Sequence, residues 1–162
     1  MTFDYAAQKG APLDSTRGSV TWNAQVFQIN PKDYEVHSLK IMLKPEQNKI
    51  NLLTFKGEGN ADGFGLTVSN IKLITLGSSV NMVLNGDFSM PVVHGSQKVS
   101  YLPGWDMGAP TVTIAEASFF NKWWPHTTKQ VLTLDDGKNT AVAQQFKIAS
   151  NFKYVPRELP FF

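Results

Sequence analysis

The residues best suited to chemistry in this sequence are aromatic and lie in two loop-rich stretches. Trp123 and Trp124 are adjacent, His126 follows two positions later, and Asn121 precedes them. Tyr101 lies in the earlier stretch. Flat aromatic rings stack against the C–H faces of pyranose sugars, while neighbouring polar side chains bind the hydroxyl groups. These five residues therefore form the candidate carbohydrate-binding site.

Burial in the core is the competing interpretation for the tryptophans. Trp22 lies in a run of alternating apolar and polar residues and is expected to be a core residue. Adjacent residues of a strand point to opposite faces, so Trp123 and Trp124 cannot both face one ligand there. We expect one of this pair to be buried and the other to lie at the surface.

Patterns typical of catalysis or nucleotide binding are weak in this chain. The histidines are scattered without metal-ligand spacing, and Ser78 and Ser79 have no nucleophile-elbow context. Gly57 and Gly59 do not open a helix, as the glycines of a dinucleotide-binding loop would. The acidic residues fall in turn-like or polar settings. We therefore expect no enzymatic activity.

Composition limits the class of protein and its partners. The chain has 162 residues, enough for one well-packed domain, and 42% of them are hydrophobic. A net charge of +2, with acids and bases interspersed, does not provide the basic face that a nucleic-acid partner requires. The lack of cysteine excludes disulfides and thiolate metal sites, and no apolar run is long enough to span a membrane.

Apolar and polar residues alternate with a period of two through much of the chain, which predicts strands. The predicted strands cover residues 20–26, 38–43, 50–55, 66–74, 80–88, 112–114, 131–134 and 141–148. The last two are expected to pair as a hairpin, and residues 115–121 are the candidate for a helical turn. Many short strands separated by turn residues predict an all-β fold of two antiparallel sheets, a sandwich or jelly roll.

Several motifs add a family resemblance to this pattern. They are Asn85-Gly86-Asp87-Phe88, Leu102-Pro103-Gly104-Trp105 and Gln144-Gln145-Phe146, together with the segments 3–8, 20–23, 53–59 and 68–73. In these motifs the chain resembles the galactose-binding-like β-jelly-roll superfamily, of the carbohydrate-binding-module type. The resemblance implies a two-sheet jelly roll in which the tryptophan of the Pro-Gly-Trp motif is buried.

The order of the motifs implies a permuted domain. Residues 1–76 resemble the back half of the family's fold and residues 80–162 its front half, within one domain of residues 1–162. First and last strands of such jelly rolls are neighbours, so residues 75–79 could join them within one molecule. Alternatively, the halves of neighbouring chains pair and give a head-to-tail polymer. The self-contained fold is favoured because it leaves no raw sheet edges.

The same family often holds a structural Ca²⁺ between its first and last strands. In this chain Ser89 and Ser69 stand where the resemblance implies acidic ligands, and calcium prefers sites with net negative charge. Asp87, Asp62 and Asn60 are the remaining candidate ligands, although Asp62 also suits an ordinary turn. The expectation is therefore no bound cofactor, with a structural Ca²⁺ as the alternative.

Two non-catalytic functions remain. In the first, the module is a structural component of a secreted matrix, fibre or coat and associates with itself. Its candidate assembly residues are Pro156, Leu159, Phe161 and Phe162, because an apolar tail must dock to be covered. The alternative is a lectin-like module that binds glycans through loop aromatics. Either function places the protein outside the cell or in a secretory granule, as a processed fragment.

Overall fold

Residues 1–149 are described by a computed structural model, and strands make up most of their regular structure. A 3₁₀ helix spans Leu13–Thr16, and a one-turn helix, α1, spans Ala117–Phe120 within the predicted helical turn. The strands are β1 (Thr2–Ala7), β2 (Gly18–Trp22), β3 (Gln25–Ile29), β4 (His37–Lys40), β5 (Ile50–Gly57), β6 (Leu66–Lys72), β7 (Ser96–Val99), β8 (Asp106–Met107), β9 (Val112–Glu116), β10 (Gln130–Thr133) and β11 (Ala141–Lys147).

The strands form two sheets that pack face to face. One sheet has six strands in the order β4-β1-β6-β10-β9-β7, and the other has five in the order β3-β2-β5-β11-β8. Every pair of neighbouring strands is antiparallel. The prediction of an all-β fold with two antiparallel sheets is confirmed.

Strands from the early and late parts of the sequence meet in both sheets. In the six-stranded sheet β6 pairs with β10, so that Val68 lies opposite Leu132. In the five-stranded sheet β5 pairs with β11 along its whole length, from Ile50 opposite Lys147 to Lys56 opposite Ala141. Both seams form within one chain, and each sheet therefore contains strands from residues 1–76 and from residues 80–149.

The main core lies between the two sheets. On β5, Leu53 and Phe55 are fully buried, whereas Leu52 on the opposite face is 41% exposed. Phe55 meets Phe3 of β1 edge to face with ring centroids 5.1 Å apart, which joins the two sheets. Trp22 and the tryptophan of the Pro-Gly-Trp motif are 1% and 6% exposed, as expected. Alternation along β5 and β11 thus reflects one buried and one exposed face.

The outer face of the six-stranded sheet is covered as well. All four residues of β10 are buried. Val131 of this strand joins a second, smaller apolar cluster with Ala6, Ala117 and Trp124. The central strands of this sheet are therefore buried on both faces.

A hairpin replaces the strand predicted over residues 20–26, and that prediction is wrong. β2 ends at Trp22 and β3 begins at Gln25, with a two-residue turn between them. Asn23 has a φ of 53°, a left-handed conformation that asparagine adopts more readily than most residues. Its side-chain oxygen also accepts a hydrogen bond from the backbone N–H of Leu52 at 2.9 Å. The apolar alternation continues across this turn, which concealed it.

Residues 80–88 do not form the predicted strand either. Asn85 and Phe88 have positive φ values of 49° and 52°, which breaks an extended conformation. Two buried glutamine side chains hold this segment, together with single backbone hydrogen bonds between Met82 and Leu73 and between Ile71 and Gly86. Gln130 of β10 donates to the carbonyl of Phe88 at 2.6 Å. Gln144 of β11 accepts from the N–H of Leu84 at 2.8 Å and donates to its carbonyl at 3.0 Å.

The predicted hairpin of residues 131–134 and 141–148 is wrong because the two strands belong to different sheets. After β10 the chain crosses from one sheet to the other. Leu134 donates its N–H to Leu66 beside the six-stranded sheet, at 2.9 Å. The carbonyl of Thr140 already accepts from Gly57 at the end of β5. The turn residues between them therefore connect the layers of the sandwich.

Candidate functional site

The segment between β9 and β10 covers the outer face of the six-stranded sheet. This segment, the aromatic loop, comprises residues 117–128 and begins with α1. The N–H of Ala117 donates to the carbonyl of Lys129 at 2.9 Å, which closes the loop at its base. The N–H of Thr128 donates to Pro125 at 2.8 Å and forms a turn near its end. The two ends of the loop are thus joined where it leaves β9 and returns to β10.

Buried side chains hold the aromatic loop from beneath. Trp124 is 5% exposed and packs in the smaller apolar cluster, against which Val36 and Phe120 also pack. Asn121 is 1% exposed, and its amide donates to the backbone carbonyl of Tyr34. Trp124 and Asn121 were both expected to contact sugar. Their side chains are instead buried and contact other parts of the protein.

Four residues of the aromatic loop expose aromatic or cationic side chains to solvent. Trp123 is 62% exposed and Phe119 is 59% exposed. The Lys122 ammonium lies 5.0 Å from the centroid of the Trp123 ring, within the range of a cation–π contact. His126 is exposed on the same loop. We call these four residues, Phe119, Lys122, Trp123 and His126, the aromatic surface.

Tyr101 does not share this surface. It is 71% exposed and follows β7, whose last residue Val99 lies opposite Val112. The aromatic loop instead follows Glu116, at the other end of β9. A five-residue strand is about 13 Å long between its end residues, so the two exposed aromatic positions lie at opposite ends of that strand.

The three candidate calcium ligands do not converge. The carboxylate of Asp62 accepts from the Ser15 hydroxyl at 2.5 Å and from the backbone N–H of Phe64 at 3.0 Å, which is turn chemistry. Asn60 is exposed in the same loop, before β6. Asp87 lies elsewhere, with its backbone carbonyl 3.5 Å from the hydroxyl of Ser69, a residue of β6. Within residues 1–149 no group of three or more His, Asp or Glu side chains is placed to hold a metal ion.

One buried carboxylate lies next to the loop of Asp62. Asp135 is 1% exposed, and its Oδ2 accepts from the backbone N–H groups of Asp62 and Gly63, both at 3.1 Å. These two hydrogen bonds fix the loop against the crossing between the sheets. The role that the contacts give to Asp135 is structural.

A groove opens at one end of the sandwich. This end groove has a volume of about 920 Å³ and is walled by residues 42–45, Gln47 and residues 73–78, with Met1, Trp22, Ile148 and Ala149 also lining it. Lys40, Lys44 and Lys72 lie around it, and no acidic residue among those described lines it. Burial, and then the positive charge of Lys40, lower the pKa of the Met1 amine. The groove is therefore apolar in part and positively charged.

Ionisable groups near the aromatic loop form one close pair. His37 Nε2 lies 2.6 Å from the Asp33 carboxylate. This hydrogen bond, followed by one from the backbone of Glu35, lowers the pKa of Asp33. Burial, followed by the charge of Asp33, raises the pKa of Tyr5.

The candidate assembly residues Pro156, Leu159, Phe161 and Phe162 lie outside the described residues. Within residues 1–149 no helix has the length and apolar character needed to cross a bilayer. Comparison with protein-family models, with curated proteins and with solved structures finds no match for this chain. The resemblance to galactose-binding-like jelly rolls therefore stays a prediction.

Sequence reasoning did not select Phe119 or the end groove. Phe119 and Phe120 are adjacent in a one-turn helix, with rings 5.2 Å apart and edge to face, and only the second is held against the smaller cluster. Two adjacent phenylalanines in a helical turn are typical of buried residues, so the sequence gives no sign that the Phe119 ring is exposed. The groove is built largely from irregular segments after β4 and β6, where the alternation of apolar and polar residues wrongly predicted that the strands continue to residues 43 and 74.

Proposed function

We propose that this protein is a non-catalytic carbohydrate-binding module whose ligand stacks on the aromatic surface. The ligand class is a glycan with an exposed pyranose C–H face, since the surface offers aromatic rings and hydrogen-bond donors. The sequence resemblance to galactose-binding-like jelly rolls supports the proposal, because modules of that type bind sugars.

The observation that carries the proposal is the contrast between two neighbouring tryptophans. Trp124 is buried and fixes the loop, while Trp123 leaves 62% of its surface exposed on top of it. The Trp123 backbone N–H also donates to the side chain of Asn121 at 2.9 Å, so the exposed residue follows a buried anchor. A large aromatic surface on an anchored loop binds a flat apolar face with little further loss of backbone entropy.

The polar neighbours fit the same ligand class. Lys122 donates up to three hydrogen bonds while its ammonium stays near the Trp123 ring, and His126 offers a ring nitrogen. Sugar hydroxyls and sugar carboxylates accept such bonds. The exposed rings of Trp123 and Phe119, with these donors on the same loop, therefore supply the two components that sugar recognition requires.

The test is a glycan array followed by titration calorimetry on the strongest binder. We expect Trp123→Ala to weaken binding roughly tenfold or more, which corresponds to about 1.4 kcal/mol. The matched control is Tyr101→Ala, an equally exposed aromatic residue at the opposite end of β9, which we expect to leave affinity unchanged. Both side chains are exposed, so neither change should alter the denaturation midpoint.

Two results would contradict the proposal. One is an array on which the intact protein binds no glycan above background. The other is a binder whose affinity falls with Tyr101→Ala and not with Trp123→Ala. The second result would place the sugar at the far end of β9.

Self-association, the other function expected from the sequence, depends on residues 156–162. Those residues lie outside the described part of the chain, so the geometry supplies no contact that favours this function over sugar binding.

A further inference from the structure

The end groove leaves several large apolar side chains open to water. Met42 is 67% exposed, Ile74 is 41% exposed and Leu76 is 71% exposed, and all three line the groove. Each side chain that is removed from water stabilises the covered state roughly in proportion to its apolar area. Grouped apolar side chains in a concave surface therefore indicate an occupant.

Both walls of the groove are fixed before anything binds. The indole N–H of Trp22 donates to the carbonyl of Lys44 at 3.0 Å, and Asn48 donates to the carbonyl of Ile148 at 3.0 Å. On the other wall, the N–H of Leu73 donates to the side chain of Asn81 at 2.9 Å. A preformed groove binds its occupant without first having to order its own walls.

We propose that residues 150–162 of the same molecule dock in the end groove. The described chain arrives there, because Ala149 itself lines the groove and Ile148 is buried beside it. Consecutive Cα atoms are about 3.8 Å apart, so the segment is tethered directly to a residue of the groove lining. A directly attached segment has an effective concentration in the millimolar range, well above that of a second molecule in dilute solution.

The composition of this segment suits an apolar groove. It carries Phe152, Tyr154, Val155, Leu159 and two terminal phenylalanines, so most of its large side chains gain from leaving water. Its two prolines restrict the backbone, which reduces the entropy lost on docking.

Charge opposes this docking and gives it a recognisable salt dependence. The groove is surrounded by Lys40, Lys44 and Lys72, while the segment has two basic residues, Lys153 and Arg157, and a single acidic one. Apolar contact must therefore outweigh a net repulsion. Raising the salt concentration from about 0.1 M to about 1 M shortens the Debye length from about 10 Å to about 3 Å, so docking should strengthen.

Limited trypsin digestion of the full chain tests the proposal, because Lys153 and Arg157 are cleavage sites within the segment. The variant Met42→Ser/Leu76→Ser removes two exposed apolar side chains from the groove without adding charge and should fold normally. We expect it to raise the cleavage rate at both sites roughly tenfold, since cleavage follows the population of the undocked form. Phe161→Ser, which changes the segment instead of the groove, should also raise the cleavage rate.

The matched control is Val92→Ser, which changes an exposed apolar residue outside the groove lining and should leave both rates unchanged. A free peptide of residues 150–162, digested in parallel, corrects for the effect of salt on trypsin. After this correction, cleavage of the intact chain should slow at high salt. The protection should also be independent of protein concentration.

Three results would overturn the proposal. Equal cleavage rates in the intact protein, the groove variant and the free peptide would show that the segment does not dock. Protection that survives Met42→Ser/Leu76→Ser would place the segment on another surface. Protection that grows with protein concentration, together with an increase in mass by light scattering, would show that a second molecule supplies the occupant. Sugar binding at the aromatic surface is measured separately, so either proposal can fail alone.

Discussion

In the six-stranded sheet β10 is buried on both faces, whereas in the five-stranded sheet β5 is buried on one face and exposed on the other. The sheets share the main core, so the difference comes from what lies outside them. The aromatic loop covers β10, with Val131 packed beneath it. Nothing described covers Leu52 on β5 to the same extent. A strand under a second layer must be apolar on both sides, and that layer in turn provides a fixed base for exposed groups.

The largest expected effect comes from placing a charge on the outer face of each sheet. Val131→Lys should destabilise the fold by about 4 kcal/mol or more, because it buries an ammonium beneath the aromatic loop without a partner. Leu52→Lys is the matched change on the open face and should alter stability by about 0.5 kcal/mol or less. Urea denaturation of the two variants checks the difference. Similar midpoints would mean that the outer layer does not cover β10 in solution.

An intermediate effect is expected from Trp124→Ala, which removes the centre of the smaller cluster. The loss should be about 3 kcal/mol, at the low end for a buried tryptophan, because the loop can partly collapse onto the space. Hydrogen exchange should quicken at the amides of residues 117–128 while β5 and β11 keep their protection. Trp124→Phe is the milder control. Uniform loss of protection across the chain would show that this layer is part of the main cooperative unit.

The smallest effect is electrostatic and concerns the pair at the edge of the outer layer. The His37 hydrogen bond lowers the pKa of Asp33 below its ordinary value of 3.8. Between the lowered pKa and pH 3.8, the Asp33 carboxyl binds more protons in the unfolded chain than in the folded chain. Its contribution to stability is therefore present above pH 3.8 and is lost as pH falls through the lowered pKa. In His37→Ala the pKa of Asp33 should rise towards its ordinary value of 3.8, which the carboxyl NMR shift of Asp33 recorded against pH would show. An unchanged titration curve would disprove the pairing.

The strands with one open face were predictable from the sequence, and the reason is physical. Buried and exposed residues alternate along β5 and β11 because each strand has one face on the core and one in water. The alternation of apolar and polar residues therefore predicts where these strands lie in the sequence. The turn at Asn23 was missed because apolar residues keep the same spacing on both sides of it. The segment 80–88 was missed because Gln130 and Gln144 supply hydrogen bonds that strand periodicity does not show.

The candidate site was predictable to the level of the aromatic loop and not beyond it. The sequence predicts that one of Trp123 and Trp124 is buried and the other exposed. Because the two side chains are identical, it does not predict which one is buried. Their assignment depends on the loop's position over Val131, which only the tertiary fold provides. Tyr101 shows the same limit, because its separation from the loop follows from the antiparallel register of β7 and β9.

The two seams between early and late strands have a consequence for biosynthesis. While a ribosome is still translating residues 80–130, the finished strands β5 and β6 lack their partners β11 and β10. Both would then present unsatisfied backbone groups in the crowded nascent state, where edge pairing with other chains is a hazard. Vectorial folding of the first part should therefore stall until the last strands emerge, so a chain truncated before β10 is expected to need a chaperone or a complementary fragment.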